Sequence, residues 1–175
     1  MAKPLIVILT GRPGSGKTTL AAKLAEELRC PLVSRDRIKE GMLRTLGTDL
    51  AADRSLTDRV FHTFFAEIGL LAHADVSLVA EAAFQHKVWV LGLASLRETT
   101  DLRIVVCEVS AELAWSRRKD RKRSDPSFAR FHPDTPGKEI ADEPYDPPKL
   151  DAPTLCVDTT EGYNPGLDII KAFLG

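Results

Sequence analysis

Leu5-Ile-Val-Ile-Leu-Thr-Gly11-Arg-Pro-Gly14-Ser-Gly16-Lys17-Thr18 is the stretch that decides the fold. Its first five residues form an unbroken apolar run rich in branched side chains, as in a strand covered on both faces by a parallel sheet's helices. Glycines at 11, 14 and 16 follow, and Lys17 to Arg29 then carries Leu20, Leu24 and Leu28 on one helical face. The glycine-lysine-threonine spacing matches G-x-x-x-x-G-K-[ST] in full. Such glycines let successive backbone N–H groups turn inward, where they cradle phosphate oxygens at the positive end of the following helix.

Outward from this unit, apolar strands alternate with amphipathic helices. Leu32 to Ser34 is a short candidate strand and Asp36 to Leu46 a helix. Leu56, Val60, Phe64 and Ile68 recur every four residues in a helix predicted over Leu56 to Ala74. Val76 to Ala80 reads as a strand ending at Glu81, and His86 to Glu98 as a helix. Leu102 to Val109 is a further strand, and Ser110 is placed to cap a helix from Ala111 to Arg123. Prolines at 126, 133, 136, 144, 147, 148 and 153 make Ser124 to Pro153 read as one long loop. Thr154 to Val157 is a last strand, and Pro165 is expected at the first position of a helix ending at Leu174. The expected fold is α/β: a P-loop NTPase fold with a five-stranded parallel sheet flanked by helices, built as a single domain over residues 1–175.

The 175 residues are 43% hydrophobic and 28% charged, with a formal net charge of −1. That balance disfavours a dedicated nucleic-acid coat, and the apolar run at the start is too short to span a membrane. Cys30, Cys107 and Cys156 form no C-x-x-C pair, and two of them fall in strands expected to be buried. They read as reduced thiols of a cytoplasmic protein.

The loop places Gly11, Arg12, Pro13, Gly14, Ser15, Gly16, Lys17, Thr18 and Thr19 around an ATP molecule. Lys17 is expected to reach the β- and γ-phosphates, and the Thr18 hydroxyl to ligate Mg²⁺. A GTPase would also carry N-K-x-D, which is absent; Asp134-Thr-Pro-Gly137 reads as a turn among prolines. Asp36 follows a strand end, where ligands of open parallel sheets sit, so it is a candidate base for an acceptor hydroxyl. Ser34 or Asp36 could instead cap the next helix. Glu81, at another strand end, is a candidate for the magnesium shell or for gripping an acceptor. Arg117-Arg-Lys-Asp-Arg-Lys-Arg123 holds six basic residues in seven. Arg117, Arg118 and Arg121 are candidates to close over the phosphates from a lid at about residues 115–140, excluding water. His62 and His73 read as structural, whereas His86 and His132 are placed where a substrate could be met.

Four landmarks give the chain a resemblance to the small P-loop kinases grouped as AAA-type predicted kinases. They are Gly11 to Thr18, Ser34-Arg-Asp36, Val79-Ala-Glu81-Ala-Ala-Phe84, and Trp115 to Asp134. Chloramphenicol phosphotransferase, zeta toxins and the kinase domains of polynucleotide kinases are similar. The resemblance implies that Asp36 is the catalytic carboxylate and that Val157 to Tyr163 lies near the adenine. The resemblance does not identify the substrate; the expected reaction is transfer of the γ-phosphate of ATP, with Mg²⁺, to a hydroxyl of a metabolite, sugar or antibiotic. A 5′-hydroxyl polynucleotide kinase and a regulatory ATPase without acceptor are the alternative expectations.

Overall fold

The computed structural model describes residues 3–133 and 144–175. Five parallel strands run in the order β2-β3-β1-β4-β5. In chain order they are β1 (Leu5–Gly11), β2 (Leu32–Ser34), β3 (Leu78–Glu81), β4 (Asp101–Glu108) and β5 (Thr154–Asp158). Alternation along β1 splits its side chains between two cores. Ile6 and Ile8 pack with Phe64, Ile68, Trp89 and Leu93 on one face. Val7 and Leu9 pack with Leu20, Leu24, Val157 and Ile170 on the other.

The helices are α1 (Lys17–Glu27), α2 (Arg35–Leu46), α3 (Arg54–His73), α4 (His86–Leu93), α5 (Ala111–Ser124), α6 (Pro126–Phe131) and α7 (Leu167–Leu174). Helix α3 begins where Asp53 accepts from the N–H groups of Ser55 (2.6 Å) and Leu56 (3.4 Å). Its four-residue apolar repeat is fully buried at Val60, Phe64 and Ile68. Ser110 caps α5 as expected, accepting from Leu113 N at 3.2 Å.

Several boundaries differ from the sequence reading. The long loop expected over Ser124 to Pro153 contains α6, which starts with Pro126 just inside an Asp125 cap accepting from Phe128 N at 3.0 Å. Helix α4 ends at Leu93, and the hydroxyl of Thr100 donates back to Leu96 O (2.7 Å) in the turn that follows. Val76 stays outside β3, its N–H bonded to Leu71 O. Pro165 precedes α7 rather than opening it: Asn164 pairs with Asp158 across an antiparallel bridge, and Gly166 takes the cap position. Cys156 is exposed, because β5 is an edge strand that buries only Val157. Cys107 is buried as expected, and burial pushes its thiol up to about 12. Asp134 to Gly137 and the far part of the expected lid lie outside the described residues. Among the described residues, no helix is long and apolar enough to cross a membrane.

One polar knot fixes the carboxyl edge of the sheet. The fully buried Thr10 hydroxyl donates to Ala82 O (2.9 Å), accepts from Trp89 Nε1 (3.1 Å) and meets the Tyr145 hydroxyl. Burial raises the Tyr145 phenol to about 12. Replacing Thr10 by Val should leave the Trp89 N–H buried without a partner, costing about 2 kcal/mol in urea unfolding. A loss below about 0.5 kcal/mol would show that the knot contributes little to stability.

Candidate active site

The strand register sets the site. Glu81 lies abreast of Leu9 on β1 and of Ser34 on β2, so three chain segments leave the sheet around one carboxylate. Beyond Gly11, the loop folds back with Ser15 N bonded to Arg12 O at 3.1 Å. Gly14 has φ +89° and Gly16 φ +78°, the left-handed region that favours glycine. A methyl at Gly14 would stand 2.1 Å from the carbonyl oxygen of Ala114. The glycine therefore permits close approach of α5 as well as the turn.

Glu81 is 1% exposed and collects three neighbours. Lys17 Nζ lies 3.6 Å from its Oε1, Thr18 Oγ1 donates to Oε1 at 3.2 Å, and Ser34 Oγ donates to Oε2 at 2.9 Å. Ser34 thus spends its hydroxyl on Glu81 rather than on capping α2, although it occupies the cap position. One carboxylate and two hydroxyls form a hard oxygen set. No group of three or more His, Cys, Asp or Glu that could hold a metal occurs among the described residues. Such a sparse set fits Mg²⁺, which keeps several waters and takes its other oxygens from substrate phosphates.

A cavity of about 220 Å³ lies over the loop, lined by Pro13, Gly14, Gly16, Lys17, Thr18, Thr19, Asp36, Arg117, Arg118, Arg121 and Phe128. All three arginines expected in the lid are there. The Arg121 guanidinium sits 3.9 Å over the Phe128 ring, and that of Arg118 lies 5.7 Å from it. Arg117 Nη2 donates to the carbonyls of Thr159 and Thr160, both at 2.9 Å. Thr159 in turn donates to Ser15 O at 2.8 Å, clipping the segment after β5 to the loop. A neighbouring hollow is lined by Gly16, Thr19, Lys23, Arg117, Thr159, Gly162 and Tyr163. Arg12 faces another cavity, beside Cys107, Glu108 and Tyr145.

A cavity of about 300 Å³ opens on the other side of Asp36, lined by Pro13, Lys17, Arg35, Asp36, Lys39, Ala83, Phe84, Arg118, His132 and Pro133. Pro13, Lys17, Asp36 and Arg118 belong to both this cavity and the one over the loop. Asp36 Oδ1 accepts from Arg35 Nη1 at 2.9 Å. Burial works to raise the Asp36 pKa, but Lys17, Arg35 and His132 outweigh it and bring the carboxyl down to about 2. His132 is 7% exposed, stacks on Phe128 and meets Glu40 Oε1 through Nε2 at 3.0 Å. Burial lowers its pKa against the opposing pull of Asp36 and Glu40.

His86 lines neither cavity. Its Nδ1 accepts from Lys149 N at 2.9 Å and fastens the segment after Pro144 to α4. His73 bonds Gly69 O on its own helix. Sequence reasoning missed Phe128 and Lys39. Phe128 was announced only by the Asp125-Pro126 helix start, and Lys39 by no local signal.

A family model described as an AAA domain matches residues 6–134. Cytidylate kinase from Saccharolobus islandicus is 27% identical over 84 residues, 42% of this chain and 44% of that protein. Cytidylate kinase from Pyrobaculum neutrophilum is 44% identical over 46 residues, 26% of this chain and 25% of that protein. The chain thus spans less than half the length of these curated relatives. A candidate kinase from Chloroflexus aurantiacus superposes with a TM-score of 0.81 at 24% identity, covering 99% of this chain and 96% of that one. Mycobacterium tuberculosis APS kinase, solved with AMPPNP and APS, gives a TM-score of 0.67 at 18% identity, covering 99% of both chains.

The Asp36 side chain keeps 40% of its surface open, so solvent screens part of the attraction it feels. The sign of the shift remains downward. Its stabilising contribution is present above the ordinary carboxyl pKa of about 4 and is lost as the pH falls toward about 2. A carboxyl ¹³C titration of the free protein should place the Asp36 midpoint near 2. A midpoint at or above about 4 would remove the three cations from its surroundings.

Proposed function

The chain belongs to the AAA-domain family, and from that premise we propose that it is an ATP-dependent kinase. It transfers the γ-phosphate of Mg·ATP to a hydroxyl of a small-molecule acceptor. The observation that carries this reading is the wall shared by the two cavities: Lys17, Asp36 and Arg118 face both. A hydrolase needs only water beyond the γ-phosphate, whereas a kinase needs a second cavity meeting the first where the phosphoryl group crosses.

In this reading the triphosphate lies in the loop, with Lys17 turned from Glu81 toward the β- and γ-phosphates. Thr18 and Glu81 would hold Mg²⁺, which supplies charge neutralisation between the phosphates when bound. The base rests in the hollow between Arg117, Thr159 and Gly162. The acceptor hydroxyl approaches from the Asp36 side. Its oxygen forms a bond to the γ-phosphorus as the bond from phosphorus to the β,γ-bridging oxygen breaks. The electron pair leaves with ADP, and the proton passes to Asp36 and then to solvent.

A carboxylate with its pKa near 2 is a weak base. It suits a loose transition state, in which the hydroxyl gives up its proton late, after bonding to phosphorus has made it acidic. Before that point Asp36 orients the hydroxyl. Arg118 and Arg121, set against Phe128, offer charge to the moving phosphoryl group and help close the cavity to water.

Two substitutions test the reading. Lys17→Ala should give a folded protein with turnover reduced by about 10³-fold or more. Asp36→Asn should keep the affinity for Mg·AMPPNP within about threefold, while transfer drops roughly 10²-fold. Calorimetry with AMPPNP beside a turnover assay reads both. Undiminished turnover in a folded Lys17→Ala protein would discard the loop mechanism. ATP hydrolysis that no alcohol alters would favour a regulatory ATPase.

A further inference from the structure

The acceptor-side cavity has a charge that a neutral alcohol does not explain. Among the described residues, four cations line it, Lys17, Arg35, Lys39 and Arg118, beside one lining carboxylate, Asp36; Lys17 also meets Glu81. The net charge of the whole chain is −1, so this excess is local. Arg35 and Lys39 line this cavity but not the one over the loop. They are therefore not placed to serve the triphosphate.

The two sit four residues apart on α2, on the same helical face as Asp36. Arg35 is paired with Asp36. Lys39 makes no ion pair among the described residues, and the residue is half-buried. Burial lowers its pKa, and the guanidiniums of Arg35 and Arg118 push the same way against the pull of Asp36. An ammonium held beside two guanidiniums in a partly desolvated wall is relieved by an anion. Phe84 supplies an apolar wall, with Arg35 6.0 Å over its ring.

We propose that the acceptor is a small alcohol carrying an oxyanion, phosphate or carboxylate, which seats on Arg35 and Lys39 and turns its hydroxyl toward Asp36. This rests on the kinase reading and narrows its substrate class. The cavity, at about 300 Å³, lies at the small end of ligand pockets, which suits a metabolite rather than a polymer. The same face of one helix then supplies an anchor and a base at fixed separation. The anion sets which hydroxyl faces the γ-phosphate.

The test fills the nucleotide cavity first. With Mg·AMPPNP bound, inorganic phosphate is titrated into the protein by calorimetry. Saturable one-to-one binding is expected. Lys39→Gln should weaken it by about tenfold or more, Lys39→Arg should restore it, and AMPPNP affinity should stay within about twofold in both. Absence of saturable phosphate binding, or binding indifferent to Lys39→Gln, overturns the inference. If AMPPNP itself fails to bind, the kinase reading falls instead.

A second arm compares glycerol, glycerol 3-phosphate and glycerate as acceptors, and adenosine with its 3′-monophosphate, reading product by mass spectrometry. Charged members should exceed their neutral counterparts in kcat/KM by about tenfold or more, with the gap closed by Lys39→Gln. The phosphate and carboxylate members show which oxyanion is preferred. Preference for the neutral members overturns the inference and leaves the kinase reading standing. Transfer confined to oligonucleotides with a 5′-hydroxyl overturns the small-molecule assignment.

Discussion

The buried carboxylate of Glu81 is the constraint on which the rest of the site depends. At 1% exposure, an ionised carboxylate needs partners for its charge and its lone pairs. It finds the Lys17 ammonium and the hydroxyls of Thr18 and Ser34. Those partners come from the start of α1 and the end of β2, while Glu81 itself ends β3. One group thereby fixes the relative positions of the phosphate loop, the helix that follows it and the segment leading to Asp36. Removing the carboxylate would strand a buried ammonium, so the arrangement is held together by what each member would lose alone. It also gathers a cation and two hydroxyls at one edge of the sheet.

The roof over the loop is assembled differently. Gly14 lets the backbone of α5 approach to where a methyl would clash, so the root of the basic helix is set by shape. Arg117 is then tied to the carbonyls of Thr159 and Thr160, and Thr159 to the loop at Ser15. This closed circuit of α5, the segment after β5 and the loop makes the base-side hollow part of a fixed frame. Farther along α5, Arg121 lies on the face of Phe128, a contact that leaves its N–H fork available for other acceptors. The helix thus offers a rooted arginine and, one turn further on, one seated on a ring face.

The parts of this architecture legible in the sequence were those whose signal is local. An apolar run, three glycines and Lys17-Thr18 state a strand, a turn and a helix within fourteen residues, and nothing distant has to agree. Strand-end carboxylates at Asp36 and Glu81 could be placed because parallel sheets gather ligands at one edge. Helix α6 was missed although Asp125-Pro126 is a cap followed by a first-turn proline, because the prolines around it read as one irregular stretch. The exposure of Cys156 follows from β5 lying at the sheet's edge, and strand order is a property of the whole fold rather than of any segment. Lys39 illustrates the hardest case. A lysine on a polar helix looks like solvent-facing charge until the packing of α2 turns it into a cavity beside Arg35 and Arg118.

A near-neutral chain argues against a surface that coats nucleic acid, yet it says nothing about a cavity where charges of one sign are gathered and those of the other excluded. Among the described residues, two carboxylates beside it are already engaged: Glu81 by Lys17 and Asp36 by Arg35. Each pairing consumes an anion at or near the cavity wall, while Lys39 faces the cavity without a carboxylate partner among the described residues. The described lining is therefore rich in cations by arrangement rather than by count. A low-dielectric wall strengthens their pull on any anion entering, so specificity for the acceptor can arise from three side chains on one turn of α2 and one on α5. In the proposed reaction the helix turn that presents Asp36 to the hydroxyl would also present the anchor, so a change that moves α2 would alter recognition and chemistry together.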